Sequence, residues 1–303
     1  MPVLGNYLAV IFIWSTTPLA IKISNSGLSA FASVALRMVM AFVLTAIVIA
    51  MIKHSAGLKR RHWPLYVVSS LGLFPNMLVV YLAANYIPSG LISVMFAMTP
   101  IASGLFASRM LGEPFLVARK MLALLVALCG LAMIFLAQAQ LGPDAIFGIG
   151  LMALSVVIFS LSQVGSKYLQ QRYSAEPLEQ TFGALTFAIP GFVASWYVFD
   201  GAVPTVFEAS SLWAVIYLAV IGSLLGFAAY FSILQQLPVA LVSVIPLITP
   251  MLALWLGVVV LNETISLPLV LGSVLILSAL AGYDGTLVDR LRGYAGKLVR
   301  RQT

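Results

Sequence analysis

Apolar residues along this chain fall in ten long blocks parted by short polar links: 4–23, 31–52, 65–86, 90–111, 119–138, 147–167, 180–199, 212–234, 239–260 and 267–284. Such blocks match the roughly 20 apolar residues a helix needs to cross a bilayer. No alternation of period two marks them as strands of a barrel. A lone segment in lipid must satisfy its own backbone hydrogen bonds, so each block is predicted to be a helix. The expected fold is an all-α integral membrane protein of ten transmembrane helices, compact and without a soluble domain.

The pattern repeats. Leu91, Ser93, Val94, Thr99-Pro100, Leu111 and Glu113 return 150 positions later as Leu241, Ser243, Val244, Thr249-Pro250, Leu261 and Glu263. Gly72 and Pro88 return in the same register as Gly222 and Pro238. An ungapped echo of chemically distinct residues reads as a duplicated half. Thr99-Pro100 lies in the fourth block and Thr249-Pro250 in the ninth. Five blocks apart means opposite directions through the membrane, so the halves are predicted to form an inverted 5+5 repeat with a site near the midplane between them. The expected units are residues 1–140 and 141–284, followed by a basic amphipathic tail over 285–303 on the inner surface. Ser15 and Lys22 are echoed by Ser160 and Lys167 at the same spacing.

Composition strengthens this reading: 62% of the 303 residues are hydrophobic, 8% are charged and the mean hydropathy is +1.08. The net charge of +7 does not point to nucleic acid. Fourteen of the 16 Lys and Arg fall in alternate links and the tail, the bias that sets orientation. Both termini are therefore expected on the cytoplasmic side, with the apolar start retained as the first span. Cys129, alone, is expected to be a small packing residue.

Candidate chemistry is sparse. The two histidines, His54 and His62, fall in the basic link after the second block. No metal-ligand spacing, nucleophile elbow or phosphate loop is present, which argues against an enzyme and against a cofactor. Two charges lie inside blocks. Lys22 reaches the outer end of the first, where snorkelling is one reading. Arg37 lies deeper in the second and is expected to face inward, toward a substrate or helix-end carbonyls.

Trp14, Thr17, Asn76, Met98, Thr99, Ser160, Gln163 and Thr249 fall near mid-depth and are expected to line a cavity, although interhelical bonding is the ordinary role of such groups. Tyr81 and Tyr230 occupy related depths and join the candidate site. Pro100 and Pro250 each remove a helical hydrogen bond, and matched kinks suggest gating hinges. The nine acidic residues fall in links, at block ends or in the tail, so transport is expected to be facilitative.

Trp14 with Lys22 toward the end of its block, Arg37 in the next, and Pro100 before Gly112-Glu113 resemble the EamA branch of the drug/metabolite transporter superfamily. Pro250 and Asn262-Glu263 repeat that ending. Trp14-Ser15 stands where Trp-Gly is common, and Asn262-Glu263 replaces Gly-Glu. The resemblance covers nearly the whole chain. It implies a central cavity lined by spans one, three, four, six, eight and nine, and export of small metabolites, often amino acids or their derivatives, across a bacterial inner membrane. A nucleoside, flavin or opine-type chelator is the alternative cargo, and a membrane-embedded sensor or scaffold the alternative class. The expected partners are a small-molecule substrate and the lipid bilayer, with the chain a monomer or weak homodimer.

Overall fold

In a computed structural model, the described residues are 3–52, 57–112, 143–201, 208–243, 245–262 and 266–283, with isolated positions between 118 and 133. Among them the chain is helical throughout and forms no strand. The helices are α1 (Val3–Gly27), α2 (Ala30–Ile52), α3 (Trp63–Ser70), α4 (Asn76–Ala83), α5 (Ser89–Phe96), α6 (Thr99–Met110) and α7 (Pro143–Gln170). They continue as α8 (Pro177–Phe199), α9 (Ala209–Tyr217), α10 (Gly226–Gln236), α11 (Val239–Val242), α12 (Ile245–Leu261) and α13 (Leu267–Tyr283). A π-helical stretch, Leu218–Leu225, joins α9 to α10.

Among the described residues, six stretches are long and apolar enough to cross a membrane: α1, α2, Ser89–Met110, Asp144–Gln170, α8 and Ala209–Gln236. Their outward faces carry Phe12, Tyr197 and Trp213, each at least 65% exposed, as surfaces meeting lipid rather than water must. Only scattered positions of the fifth block are described, and Glu113, Glu263, His54 and the tail lie outside the described residues. Cys129 is exposed, not packed in the interior as its apolar neighbours suggested.

Turn chemistry shows why the elements begin and end where they do. Pro88 and Pro238 precede α5 and α11 with nearly the same extended backbone, φ −62° and −58°. Gly112 and Asn262 both turn left-handed, at φ 68° and 53°. Asparagine is among the few residues that tolerate that region, so the replacement of Gly by Asn keeps the turn. The two echoed lysines also act alike. Lys22 Nζ donates to Ile87 O at 3.0 Å, and Lys167 Nζ to Leu234 O, Gln235 O and Leu237 O at 2.7, 3.1 and 2.9 Å. Each ammonium thus satisfies carbonyls at a helix C-terminus, where positive charge is favoured. Ile87 and Leu237 are themselves 150 positions apart.

Helix pairs exchange the two halves of the sequence. α1 packs on α12 and α6 on α7; α2 packs on the π-helical stretch and α3 on α8; α2 meets α8 and α5 meets α12. Close approach rests on small residues. A Cβ on Gly183 would lie 2.3 Å from the Tyr66 ring, and one on Gly191 2.5 Å from Phe74. Those two glycines let α3 and the turn after it settle against α8.

At the foot of that contact Glu179 is fully buried. It accepts from Tyr66 OH and His62 Nδ1, with Lys59 Nζ at 3.4 Å, while Arg61 Nε donates to His62 Nε2 at 3.0 Å. His62, expected in a solvated link, is 1% exposed. Its partner Glu179 is 117 positions away on another helix, so no local pattern announced the burial.

Candidate functional site

Between the two halves lies a cavity of about 60 Å³. Trp14, Thr17, Pro18 and Ile21 of α1 form one wall, and Met77 and Val80 of α4 another. Ile92, Ser93 and Phe96 of α5, Phe159 of α7, Gly222 and Phe227, and Pro246 and Thr249 of α12 complete it around Arg37. Nearly all of this lining is apolar. Typical ligand sites hold roughly 300–1,000 Å³, so a metabolite enters only when the helices around this space part.

Arg37 is the chemical centre. Its side chain, 1% exposed, reaches from α2 to donate from Nε to Ser223 Oγ at 2.9 Å and from Nη1 to Tyr81 OH at 3.3 Å. The guanidinium also lies over the Tyr81 ring, 5.8 Å from its centroid. Gly222 admits it, since a Cβ there would sit 3.2 Å from Nη2. Among the described residues no carboxylate forms an ion pair with Arg37; Glu179 pairs instead with Lys59 and His62. Arginine stays protonated. A permanent cation is thus held in an apolar enclosure by two neutral hydroxyls, an arrangement that favours an anion arriving from outside.

Below it an aromatic group closes the space. Trp14 meets Phe159 and Tyr230 with ring centroids 5.7 and 5.2 Å apart; Phe159 is 5.9 Å from Tyr230 and 6.0 Å from Phe96. Behind these rings Gln163 Oε1 accepts from Ser103 Oγ at 2.7 Å and lies 3.1 Å from Ser243 Oγ.

The candidate residues therefore separate into three groups. Trp14, Thr17, Arg37 and Thr249 line the cavity, and Tyr81 touches it through Arg37. Tyr230 belongs to the aromatic group, and Gln163 and Thr99 are buried near it, with Ser160 Oγ 3.4 Å from Thr99 O and Met98 at the start of α6. Asn76 is held elsewhere: its Nδ2 donates to Gly72 O at 3.1 Å and its Oδ1 accepts from Ser155 Oγ at 2.7 Å. Pro100 and Pro250 also differ from two matched kinks. Pro100 opens α6 after the chain turns at Ala97–Met98, whereas Pro250 sits inside the continuous α12. Ser93, Ser223 and Gly222 were not foreseen as site residues, although the echoes of Ser93 and Gly222 were visible in the repeat.

A cation-centred cavity between paired helices of a membrane protein defines the class, a solute carrier. The EamA-like transporter family model matches the chain twice, over residues 3–136 and 146–283, so the chain belongs to that family and is a transporter, not an enzyme. Protein PecM of Dickeya dadantii (strain 3937) is 25% identical over 72% of this chain and 72% of its own length. The uncharacterized transporter YoaV of Bacillus subtilis (strain 168) is 23% identical over 90% and 94%. An uncharacterized transporter of Archaeoglobus fulgidus is 26% identical over 87% and 92%. A solved crystal structure shares the fold at TM-score 0.69, with 22% identity over 95% of this chain and 97% of that one.

Proposed function

We propose that this transporter exports small amphipathic metabolites bearing a carboxylate, amino acids or amino-acid-derived compounds, by alternating access across a bacterial inner membrane. The observation that carries the reading is Arg37, buried in an apolar cavity without a carboxylate partner among the described residues. A substrate carboxylate supplies the missing charge. Trp14, Thr17 and Thr249 line the binding space, and Tyr81, Met98, Thr99, Ser160, Gln163 and Tyr230 surround it, with Asn76 as a support behind α4.

The carrier is read as ten spans in an inverted 5+5 arrangement, residues 1–140 and 141–284, with both termini in the cytoplasm. The double family match, the paired turns at Pro88 and Pro238 and the paired lysine caps support this reading. The halves rock about the central cavity, with the turn before Pro100 and the proline inside α12 as bending points. Reporter fusions at Ala56 and Val203 are expected to give opposite signals; equal signals would rule the topology out.

Transport is read as facilitative, since the cavity lining among the described residues carries no acid or histidine and arginine cannot release its proton. Purified protein in liposomes loaded with a small aromatic carboxylate tests both parts. Efflux above protein-free vesicles, lost in Arg37→Met and indifferent to an imposed pH gradient, is the expected result. Accumulation against the substrate gradient, driven by pH, would overturn facilitation. Efflux unchanged by Arg37→Met would overturn the anion site.

A further inference from the structure

Four buried side-chain atoms around the aromatic group have no hydrogen-bond partner: Ser93 Oγ on α5, Thr99 Oγ1 on α6, Gln163 Nε2 on α7 and Tyr230 OH on α10. None of these residues is more than 4% exposed. Buried polar atoms are nearly always satisfied, so four orphans in one neighbourhood require a reason. They are neighbours: Ser93 lines the cavity, Tyr230 packs on Trp14, and Ser103, one turn from Thr99, holds Gln163.

Gln163 is the informative member. With Oε1 engaged by Ser103, its NH₂ is turned the other way and fixed there. An amide NH₂ only donates. Tyr230 OH lies close enough to Gln163 to interact with its amide, though short of full hydrogen-bond geometry. Gln163 Nε2 and Tyr230 OH thus lie together as buried donors that no protein acceptor fully engages.

The charges set the other half of the argument. Among the described residues the cavity is lined by one cation and no carboxylate. The ammonium of a free amino acid would be stripped of water beside Arg37 with nothing to neutralise it. A single negative charge is matched; a zwitterion is not.

We propose that Gln163 Nε2 and Tyr230 OH form a second substrate subsite that binds a neutral carbonyl oxygen, so that the carrier prefers monoanionic acids with such an acceptor, N-acyl amino acids or oxo acids, over free amino acids. This rests on the cavity being the substrate site. The carboxylate pairs with Arg37, the apolar body lies against Trp14 and Phe159, and rotation of those rings admits the carbonyl to the subsite.

The test uses the full chain in liposomes with four labelled probes on one skeleton: N-acetylphenylalanine, 3-phenylpropanoate, phenylalanine and phenylalaninamide. Flux above protein-free vesicles is expected to be greatest for N-acetylphenylalanine, roughly tenfold above 3-phenylpropanoate, as one recovered buried hydrogen bond allows. Phenylalanine and the cationic amide are expected to move more slowly still. Tyr230→Phe and Gln163→Met should abolish the ratio between the two acids, bringing N-acetylphenylalanine down to the rate of 3-phenylpropanoate in the same variant. Equal slowing of both acids would assign the pair to packing and overturn the subsite. Phenylalanine moving as fast as its acetylated form would overturn the charge preference. No flux of either acid, with Arg37→Met identical to the parent, would overturn the cavity as an anion site altogether.

Discussion

At matching positions of the repeat, residues 71–75 and Leu218–Leu225, the chain interrupts its helices in two ways. The first is a turn between α3 and α4; the second is an unbroken π-helical stretch. The turn frees Gly72 O, and Asn76 Nδ2 takes it at once while Asn76 Oδ1 ties to Ser155 on α7. That interruption is sealed by the protein's own side chains. The π stretch instead turns Ser223 and Gly222 toward Arg37 and the cavity. π-Helical widenings often accompany functional sites. The two echoed segments thus differ: one is a structural joint, and the other holds Arg37 beside the cavity.

The largest break in this comparison is at Arg37. Arg37→Met is expected to lower carboxylate flux about 10- to 150-fold, since bonds to charged groups are worth about 1.5–3 kcal/mol. The melting temperature should hold or rise, because a desolvated cation without a counter-ion is removed. A parallel loss of melting temperature would make Arg37 a structural residue.

Next come the paired glycines. A Cβ on Gly72 would sit 2.9 Å from Ser162 Oγ, and one on Gly222 3.2 Å from Arg37 Nη2. Gly72→Ala is expected to destabilise by about 1–3 kcal/mol through overpacking, with flux per folded molecule retained. Gly222→Ala should leave melting nearly unchanged and raise KM several-fold by displacing the guanidinium. Reversal of these two outcomes would erase the distinction between joint and support.

Asn76→Ala belongs with the joint. Leaving Gly72 O and Ser155 Oγ unpaired costs about 1–3 kcal/mol in stability, read as melting temperature, while initial flux rates stay normal. The smallest effect is expected from Ser223→Ala, which removes one of two hydroxyls holding Arg37. A few-fold rise in KM, since Tyr81 still holds the guanidinium, with kcat unchanged, would place Ser223 as a positioning residue.

Much of this was legible before any coordinates. Trp14, Thr17, Arg37 and Thr249 carry unusual polarity or size in mid-block, and each reaches the cavity. Asn76 carried the same signal and went elsewhere, because a polar group beside a helix break bonds the nearest free carbonyl, here Gly72 O in the turn before α4. Gln163 was visible as polar and deep, but which of its amide atoms is satisfied depends on Ser103 of another helix. His62 and Glu179 looked like solvated residues at block ends, because each by itself is an ordinary polar residue in a link or first turn.

The sequence by itself determined the membrane class, the 150-residue echo, and the residues that turn the chain at Pro88, Pro238, Gly112 and Asn262. Those follow from transfer of apolar side chains to lipid and from backbone angles, both local properties. Only the tertiary structure decided which carbonyls the two lysines cap, that Arg37 meets hydroxyls and no carboxylate, and which interruption feeds the cavity. Each of these depends on the face a neighbouring helix presents, and many different pairings of faces satisfy the same hydropathy.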